Sequence, residues 1–201
     1  MLVIFKRERS DNGEGSLVGN VVKDIVWIVK MVFVVFVLSW ALNQFIAVAY
    51  KVDGLSMYPT LNDGDLLYVN KAEVLFGEID RFDVVVFHKD GKTDYVKRVI
   101  GLPGDEIVYR DDTLMINGEV VDEPFLDSTL ESWVLDIPFT ENFELGELTG
   151  VVEVPEDSYF VLGDNRENSM DSRAIGYVKK DQIVGVAAFK YFPLSSVGRV
   201  N

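Results

Sequence analysis

Three segments of the chain concentrate the side chains from which a reaction centre could be built. They are Asp53-Gly54-Leu55-Ser56-Met57-Tyr58-Pro59-Thr60-Leu61, Tyr95-Val96-Lys97-Arg98-Val99-Ile100-Gly101-Leu102-Pro103-Gly104-Asp105 and Gly163-Asp164-Asn165-Arg166-Glu167-Asn168-Ser169-Met170-Asp171-Ser172-Arg173. Each holds more glycine, hydroxyl and charge than a strand end needs, although any one alone would pass for a turn. The absence of cysteine excludes a thiolate nucleophile, a thiolate zinc site and a disulfide scaffold. A serine hydroxyl remains available as a nucleophile, but it is a poor one until a neighbouring base takes its proton. The only histidine, His88, closes a valine-rich run; a Ser-His-Asp triad would have to use it, and no Gly-x-Ser-x-Gly elbow is present.

These segments must be carried by a scaffold, and the composition says what kind. The 201 residues include 33 acidic and 19 basic side chains, for a net charge of -14. With a pI near 4.4, the chain lacks the basic surface that would neutralise phosphates, which argues against nucleic acid as a partner. A mean hydropathy of +0.14 beside 26% charged residues means that apolar residues are concentrated somewhere. They lie at 25–50, almost all Val, Ile, Phe, Trp, Leu and Ala, interrupted by Lys30 and by Asn43 and Gln44. Residues 31–50 alone match the roughly 20 that cross a bilayer. Five basic residues precede the core of this span, Lys6, Arg7, Arg9, Lys23 and Lys30, so the positive-inside bias places residues 1–24 in the cytoplasm and everything after the span outside. A removable signal peptide is the rival reading, since Ala47-Val48-Ala49 has a small-x-small cleavage pattern, but the apolar run is longer than a usual signal core. A helix buried in a soluble core would show a polar face at 3.6-residue spacing, and none is visible.

From residue 51 onward, short runs rich in Val, Ile, Tyr and Phe alternate with Gly, Asp and Asn, which predicts strands at 66–70, 83–88, 94–100, 106–109, 113–121, 159–162 and 183–192. Asn117-Gly118 is the turn chemistry of a tight hairpin inside the fifth run. The fold class is therefore mainly β: one N-terminal transmembrane helix at 25–50, then an antiparallel β domain at 51–201, closed or sandwiched to hide its edges. Residues 122–150 carry eight acidic residues and no basic one around Phe125, Trp133, Phe139 and Phe143. They read as a solvated surface insertion, a small inserted cap, with a lid or partner surface as the alternative.

Taken together, the three segments and the apolar span resemble the bacterial type I signal peptidases, the membrane-anchored serine endopeptidases that remove signal peptides. The order and residue types of the segments, with the Gly64-Asp65 turn after the first, carry the resemblance. It implies Ser56 as nucleophile and Lys97 as general base. By strand alternation Lys97 shares a face with Tyr95 and Val99, and burial there would lower the proton affinity of its amine from the ordinary value near 10.4 to an apparent pKa of about 8 to 9. The resemblance makes Ser169 the residue that orients the lysine amine, and Asp164, Asp171, Arg98 and Arg173 the ion pairs that hold the site's loops. It puts an oxyanion donor at the Ser56 N–H. Gly54 stands where some members carry a Ser or Thr hydroxyl as second donor, so that donor is missing from this sequence, as in many Gram-positive-type members. Shallow pockets for small residues before the cut would be walled by Val52, Met57, Leu61, Tyr95 and Val96, and a substrate peptide would add as a strand beside residues 94–99.

The implied partners are secreted preproteins as substrates and the lipid bilayer, with the secretion translocon as a further candidate. No cofactor and no metal is called for. Two other classes share some of these features. A self-cleaving Ser/Lys protein of the repressor type has the dyad but is soluble, and a non-catalytic anchored β module for partner binding has no need to bring Ser56, Lys97 and Ser169 together.

Overall fold

The computed structural model describes residues 14–91, 93–134 and 137–200, so Lys6, Arg7, Arg9 and the start of the 1–24 segment lie outside the described residues. The chain divides into two compact units, residues 1–44 and 45–201. The first is dominated by helix α1 (Glu14–Ile46), whose apolar side chains from Ile25 to Trp40 are exposed around the helix. Among the described residues no helix is long and apolar enough to cross a membrane.

The helix expected over 25–50 ends earlier than read. Helix α1 stops at Ile46, and the apolar residues that follow form strand β1 (Ala47–Lys51), antiparallel to β2 (Leu66–Asn70). An apolar run has no preference of its own between helix and strand; here the ladder with β2 decides, and the Lys71 N–H extends it to the Ile46 carbonyl at 2.7 Å.

The rest of the second unit is strand-rich. Helix α2 (Ala72–Phe76) leads to β3 (Val84–His88), β4 (Asp94–Gly101), β5 (Ile107–Arg110), β6 (Thr113–Ile116) and β7 (Glu119–Val121). Then come α3 (Asp127–Ser132), β8 (Phe143–Glu144), α4 (Leu145–Thr149), β9 (Ser158–Leu162), α5 (Ser172–Ile175), β10 (Val178–Lys179), β11 (Ile183–Phe192) and β12 (Gly198–Arg199). The large sheet runs β1-β2-β11-β3-β4-β9-β10 with β12 beside β11, and the small one β7-β6-β5-β8; every pairing is antiparallel. All seven expected strand runs are present, with the fifth folded into the β6–β7 hairpin at Asn117-Gly118.

Strand alternation lets the large sheet bury both faces. One face packs Val85, Phe87, Val99, Val161 and Ile183. The other packs Leu67, Val69, Val84 and Val86 against Val52, Met57 and Leu61 of the β1–β2 connection. A third core, around Ile100, Ile107, Tyr109, Phe143 and Phe160, joins the small sheet to the end of β4 and β9. The 122–150 stretch is accordingly less solvated than its charge suggested. It supplies β8, which pairs with β5, and it buries Leu126, Phe139, Thr140, Phe143 and Leu145. Its acidic residues sit between these apolar ones and hide the periodicity.

Both turn residues of the hairpin have left-handed backbones, φ +54° at Asn117 and +81° at Gly118, as a two-residue turn of this twist demands. A Cβ at Gly118 would touch nothing, so Gly118→Ala should cost only the conformational strain, about 1 kcal/mol. The urea midpoint should fall accordingly with an unchanged slope, and a midpoint equal to the parent's would show that the turn does not require glycine.

Candidate active site

Ser56 lies in the connection between β1 and β2. Its base is closed by Val52 N–H to Asp65 O at 2.8 Å and Gly64 N–H to Val52 O at 3.0 Å. Asp63 accepts from the Gly54 N–H at 2.9 Å, and Gly54 takes φ +96°, a conformation that glycine adopts without penalty. Met57 and Leu61, almost fully buried at 1% and 0% exposure, plug the segment into the core and hold Ser56 at its edge.

Lys97 approaches from β4. It is buried on the strand face it shares with Tyr95 and Val99, with Val85 opposite it on β3. Its Nζ donates to Ser56 Oγ at 2.7 Å and to the Val96 carbonyl at 2.9 Å, and lies 5.2 Å from the centre of the Tyr95 ring. Burial lowers the amine's pKa from 10.5 to about 8, against an opposing pull from the Asp171 and Asp164 carboxylates. At neutral pH about a tenth of such amines are free bases. An unshifted lysine would offer fewer than one in a thousand.

The third segment packs against this pair. Arg98 grips Asp164 through two bonds, Nε to Oδ1 at 2.9 Å and Nη2 to Oδ2 at 2.7 Å, with both side chains fully buried. Thr60 Oγ1 adds a bond to the same carboxylate at 2.5 Å, tying it to the Ser56 segment. Arg173 holds Asp171 in the same two-pronged way, at 2.9 and 2.8 Å. Burial alone would raise the Asp171 pKa, but the hydrogen bonds and charge of Arg173, with the Gly163 N–H, outweigh it and hold the carboxyl below its ordinary value. Gly163 is where the loop comes against the backbone of Ser56. A Cβ there would lie 2.5 Å from the Ser56 carbonyl oxygen and 2.2 Å from Ser169 Oγ, so only glycine fits.

Ser169 is brought to the site without the bond expected of it. Its hydroxyl is buried and lies close enough to Asp171 to help keep that carboxylate ionised, yet it reaches hydrogen-bond geometry with no partner among the described residues. Nor does the Ser56 N–H have an acceptor among them. His88 is exposed at the end of β3 and contacts Asp94, with Nδ1 to Oδ1 at 2.5 Å. Among the described residues it hydrogen-bonds to no serine.

Beside the Ser56–Lys97 pair runs a cleft of about 240 Å³ between residues 50–53 on one side and 94–97 on the other, floored by Leu67 and Val86. Of the five expected pocket walls, Val52, Tyr95 and Val96 line it. Met57 and Leu61 do not, because they are core residues beneath it. Tyr50, Asp94 and Met170 were not foreseen. Met170 belongs to the third segment and Asp94 to the 94–99 edge without having been singled out, and it takes the fold to bring Tyr50 of β1 and residues 94–97 of β4 to one cleft. Both flanking strands have a free edge: β1 pairs only with β2, and β9 takes up β4 only from Arg98 onward. The expected docking edge at 94–99 is thereby narrowed to 94–97.

The burial of Lys97 has a thermodynamic consequence. Between pH 8 and 10.5 the unfolded chain holds this proton more tightly than the folded one, so Lys97 contributes stability that rises with pH across that window and a full penalty below it. The penalty is on the order of 3 kcal/mol, partly offset by the two hydrogen bonds of the amine. Lys97→Met, which fills the space without charge, should therefore unfold at a higher temperature than the parent at pH 7, with the gap closing toward pH 10.5. A variant less stable than the parent at pH 7 would show that burial of this amine carries no such penalty.

The comparisons with known proteins agree with this geometry. The family described as signal peptidase, peptidase S26, matches residues 25–192. A signal peptidase I of Bacillus caldolyticus is 50% identical over 161 residues, covering 80% of this chain and 88% of its own length. A signal peptidase IB of Staphylococcus aureus strain COL is 42% identical over 173 residues, covering 84% and 90%. The crystal structure of a signal peptidase I from Enterococcus faecalis V583 aligns with a TM-score of 0.52 at 43% identity, over 54% of this chain and 96% of that one. With that family matched from residue 25, within helix α1, to residue 192 at the end of β11, the chain belongs to the S26 signal peptidases.

Proposed function

We propose that this protein is a serine endopeptidase that removes N-terminal signal peptides from exported preproteins, with Ser56 as nucleophile and Lys97 as general base. The contact of 2.7 Å between Lys97 Nζ and Ser56 Oγ, made by an amine that is 3% exposed, carries the reading. The names of the relatives agree with it and do not favour the self-cleaving or binding-module alternatives.

With the amine neutral, the direction of the Ser56–Lys97 bond reverses and the hydroxyl donates. Ser56 Oγ then attacks the scissile carbonyl while its proton passes to Nζ. Charge developing on the carbonyl oxygen meets the Ser56 N–H, which is otherwise unengaged. Lys97 next gives its proton to the departing amine and so becomes neutral again. In that state it activates the water that hydrolyses the acyl-enzyme and frees Ser56. Ser169, buried with an uncommitted hydroxyl, is the group available to steady the amine once Ser56 is acylated. Gly54 adds no side-chain donor for the oxyanion. The substrate would add as a strand in the cleft beside residues 94–97, where Val52 and Val96 leave shallow room for small side chains such as those of an Ala-x-Ala sequence.

Helix α1 anchors the enzyme in this reading. Residues 25–46 carry one charge, Lys30, and at 1.5 Å per residue they would span about 33 Å, the thickness of a hydrocarbon core. Apolar side chains exposed all round are what such a helix presents to lipid. The basic residues before and within its start put the N-terminus in the cytoplasm and the β domain outside, on the side where exported preproteins emerge.

Detergent-solubilised protein incubated with a secretory preprotein should cut it after an Ala-x-Ala sequence, and Ser56→Ala, Lys97→Ala and the double variant should be equally inactive, because the two residues act as one unit. Turnover by Ser56→Ala would sink the assignment. The kcat/KM of the parent should rise with pH through an apparent pKa of about 8, the value of the buried Lys97 amine, because only the free amine can accept the proton. That limb should persist in His88→Ala; a limb near pH 6.5 that vanished with His88 would make histidine the base. For the topology, protease added outside intact cells should digest the β domain and spare residues 1–24, and the opposite protection would overturn the anchor reading.

A further inference from the structure

The acidic stretch at 122–150 has no part in the chemistry just described, yet one of its carboxylates reaches the loop that holds the nucleophile. Glu123 Oε1 accepts from Arg166 Nη2 at 2.6 Å, with the arginine side chain fully buried and the carboxylate 6% exposed. Arg166 is surrounded. Its Nη1 donates to Tyr109 Oη at 3.0 Å and to Thr140 Oγ1 at 3.2 Å, and its Nε to the Gly163 carbonyl at 3.1 Å. Tyr109 in turn donates to Glu123 Oε2 at 2.6 Å. Desolvation would weaken the arginine's hold on its proton, but the charge of Glu123 outweighs it and raises the pKa instead. A buried guanidinium without its carboxylate would be strongly destabilising, so Glu123 and Arg166 fix each other's place.

Arg166 is covalently next to Asn165, and Asn165 clamps the nucleophile. Its backbone N–H donates to the Ser56 carbonyl at 3.1 Å, and its Nδ2 donates to the Leu55 carbonyl at 3.1 Å. Those two carbonyls flank the Ser56 peptide, whose N–H is the oxyanion donor and whose side chain meets Lys97. Gly163, held by the Arg166 Nε, touches the same Ser56 carbonyl. A continuous set of contacts therefore runs from Glu123 through Arg166 to Asn165 and Gly163, and from both of these to the backbone of Ser56.

We propose that the 122–150 stretch reaches the catalytic site through Glu123, which acts through Arg166 as a positioning residue that sets the Asn165 clamp on Ser56. The proposal rests on Ser56 being the nucleophile. The acidity of the stretch then has a use at one position, where a carboxylate is buried as the counter-ion of a loop arginine, while Asp122, Asp127, Glu131, Glu141 and Glu147 are exposed.

The test uses the full chain in detergent. Glu123→Gln keeps an acceptor oxygen but removes the charge, and Asn165→Ala removes only the bond to Leu55. Each should lower kcat about tenfold, since misplacing a reacting group by a fraction of an ångström has effects of this size, with KM within about twofold of the parent. Because the two act in series, the double variant should lose no more than the worse single one. Amide hydrogen exchange should quicken at Tyr58 and Asn165 in both variants, and Glu144→Gln, which removes an exposed partner of Arg110 in the small sheet, should match the parent throughout. A Glu123→Gln protein with a lower melting temperature but parental kcat and exchange would reduce Glu123 to a structural role and overturn the proposal; multiplying losses in the double variant would do the same. Should Glu123→Gln fail to fold, Thr140→Val, which deletes one of the bonds of Arg166, must show the same exchange signature on a smaller scale, and parental exchange there is equally fatal. Exchange needs no substrate, so a parent that cuts no preprotein while the exchange coupling holds would refute the proposed function and leave the clamp standing.

Discussion

A lysine amine taken out of water beside a serine hydroxyl is the constraint from which the rest of this site follows. Desolvation lowers the proton affinity of Lys97, but Asp164 and Asp171 stand near enough to raise it again. Left unpaired, those carboxylates would raise it further and leave a smaller share of the amine free. Each is instead gripped by its own arginine, Arg98 on Asp164 and Arg173 on Asp171, through two parallel hydrogen bonds. The arginines cannot lose their protons, so the compensation is independent of pH across the range in which Lys97 titrates. The ion pairs thus hold the loops and also keep the local field from restoring the lysine's charge.

The two-sheet architecture supplies the other half of the arrangement. Strand β4 belongs to two cores: its first half faces the cluster of Val85 and Val99, and its end joins the small sheet through Ile100. Lys97 sits between those regions, opposite Val85 of β3. The partner β9 begins only at Arg98, which leaves the preceding residues without a strand neighbour on that edge, where the Val96 carbonyl accepts from Lys97 Nζ. A free strand edge beside the Ser56–Lys97 pair therefore comes from one stagger between neighbouring strands.

The same economy explains why the first segment is a loop. A nucleophile on a strand would share the sheet's register and point along it. Ser56 is instead on a connection stitched at its base by Val52, Gly64 and Asp65, plugged into the core by Met57 and Leu61, and held from above by Asn165. Three independent restraints fix a backbone that has no ladder of its own.

Much of this was legible from the residues alone. Alternating valine and tyrosine runs marked the strands because one face of each is buried, Asn117-Gly118 marked its turn because few residue pairs tolerate two left-handed backbones, and the three polar segments marked the site because no strand end needs such a concentration of glycine and charge. The proton affinity of Lys97 could be anticipated in direction from its place on a β-strand face. Other features depend on pairing partners far away in the chain, which local patterns do not encode. Ala47–Lys51 continues an apolar helix in composition and becomes a strand only because β2 lies beside it. Met57 and Leu61 suit a pocket wall or a core equally well by type, and the packing of β2 and β3 puts them in the core. Glu123 is one acidic residue among eight in its stretch, and its bond to Arg166 crosses 43 positions of sequence. The sequence alone determined which residue types stand in which order, and so the family, the strands and the candidate dyad; tertiary structure decided which side chains share a buried volume, because burial and charge pairing act through space and leave no period along the chain.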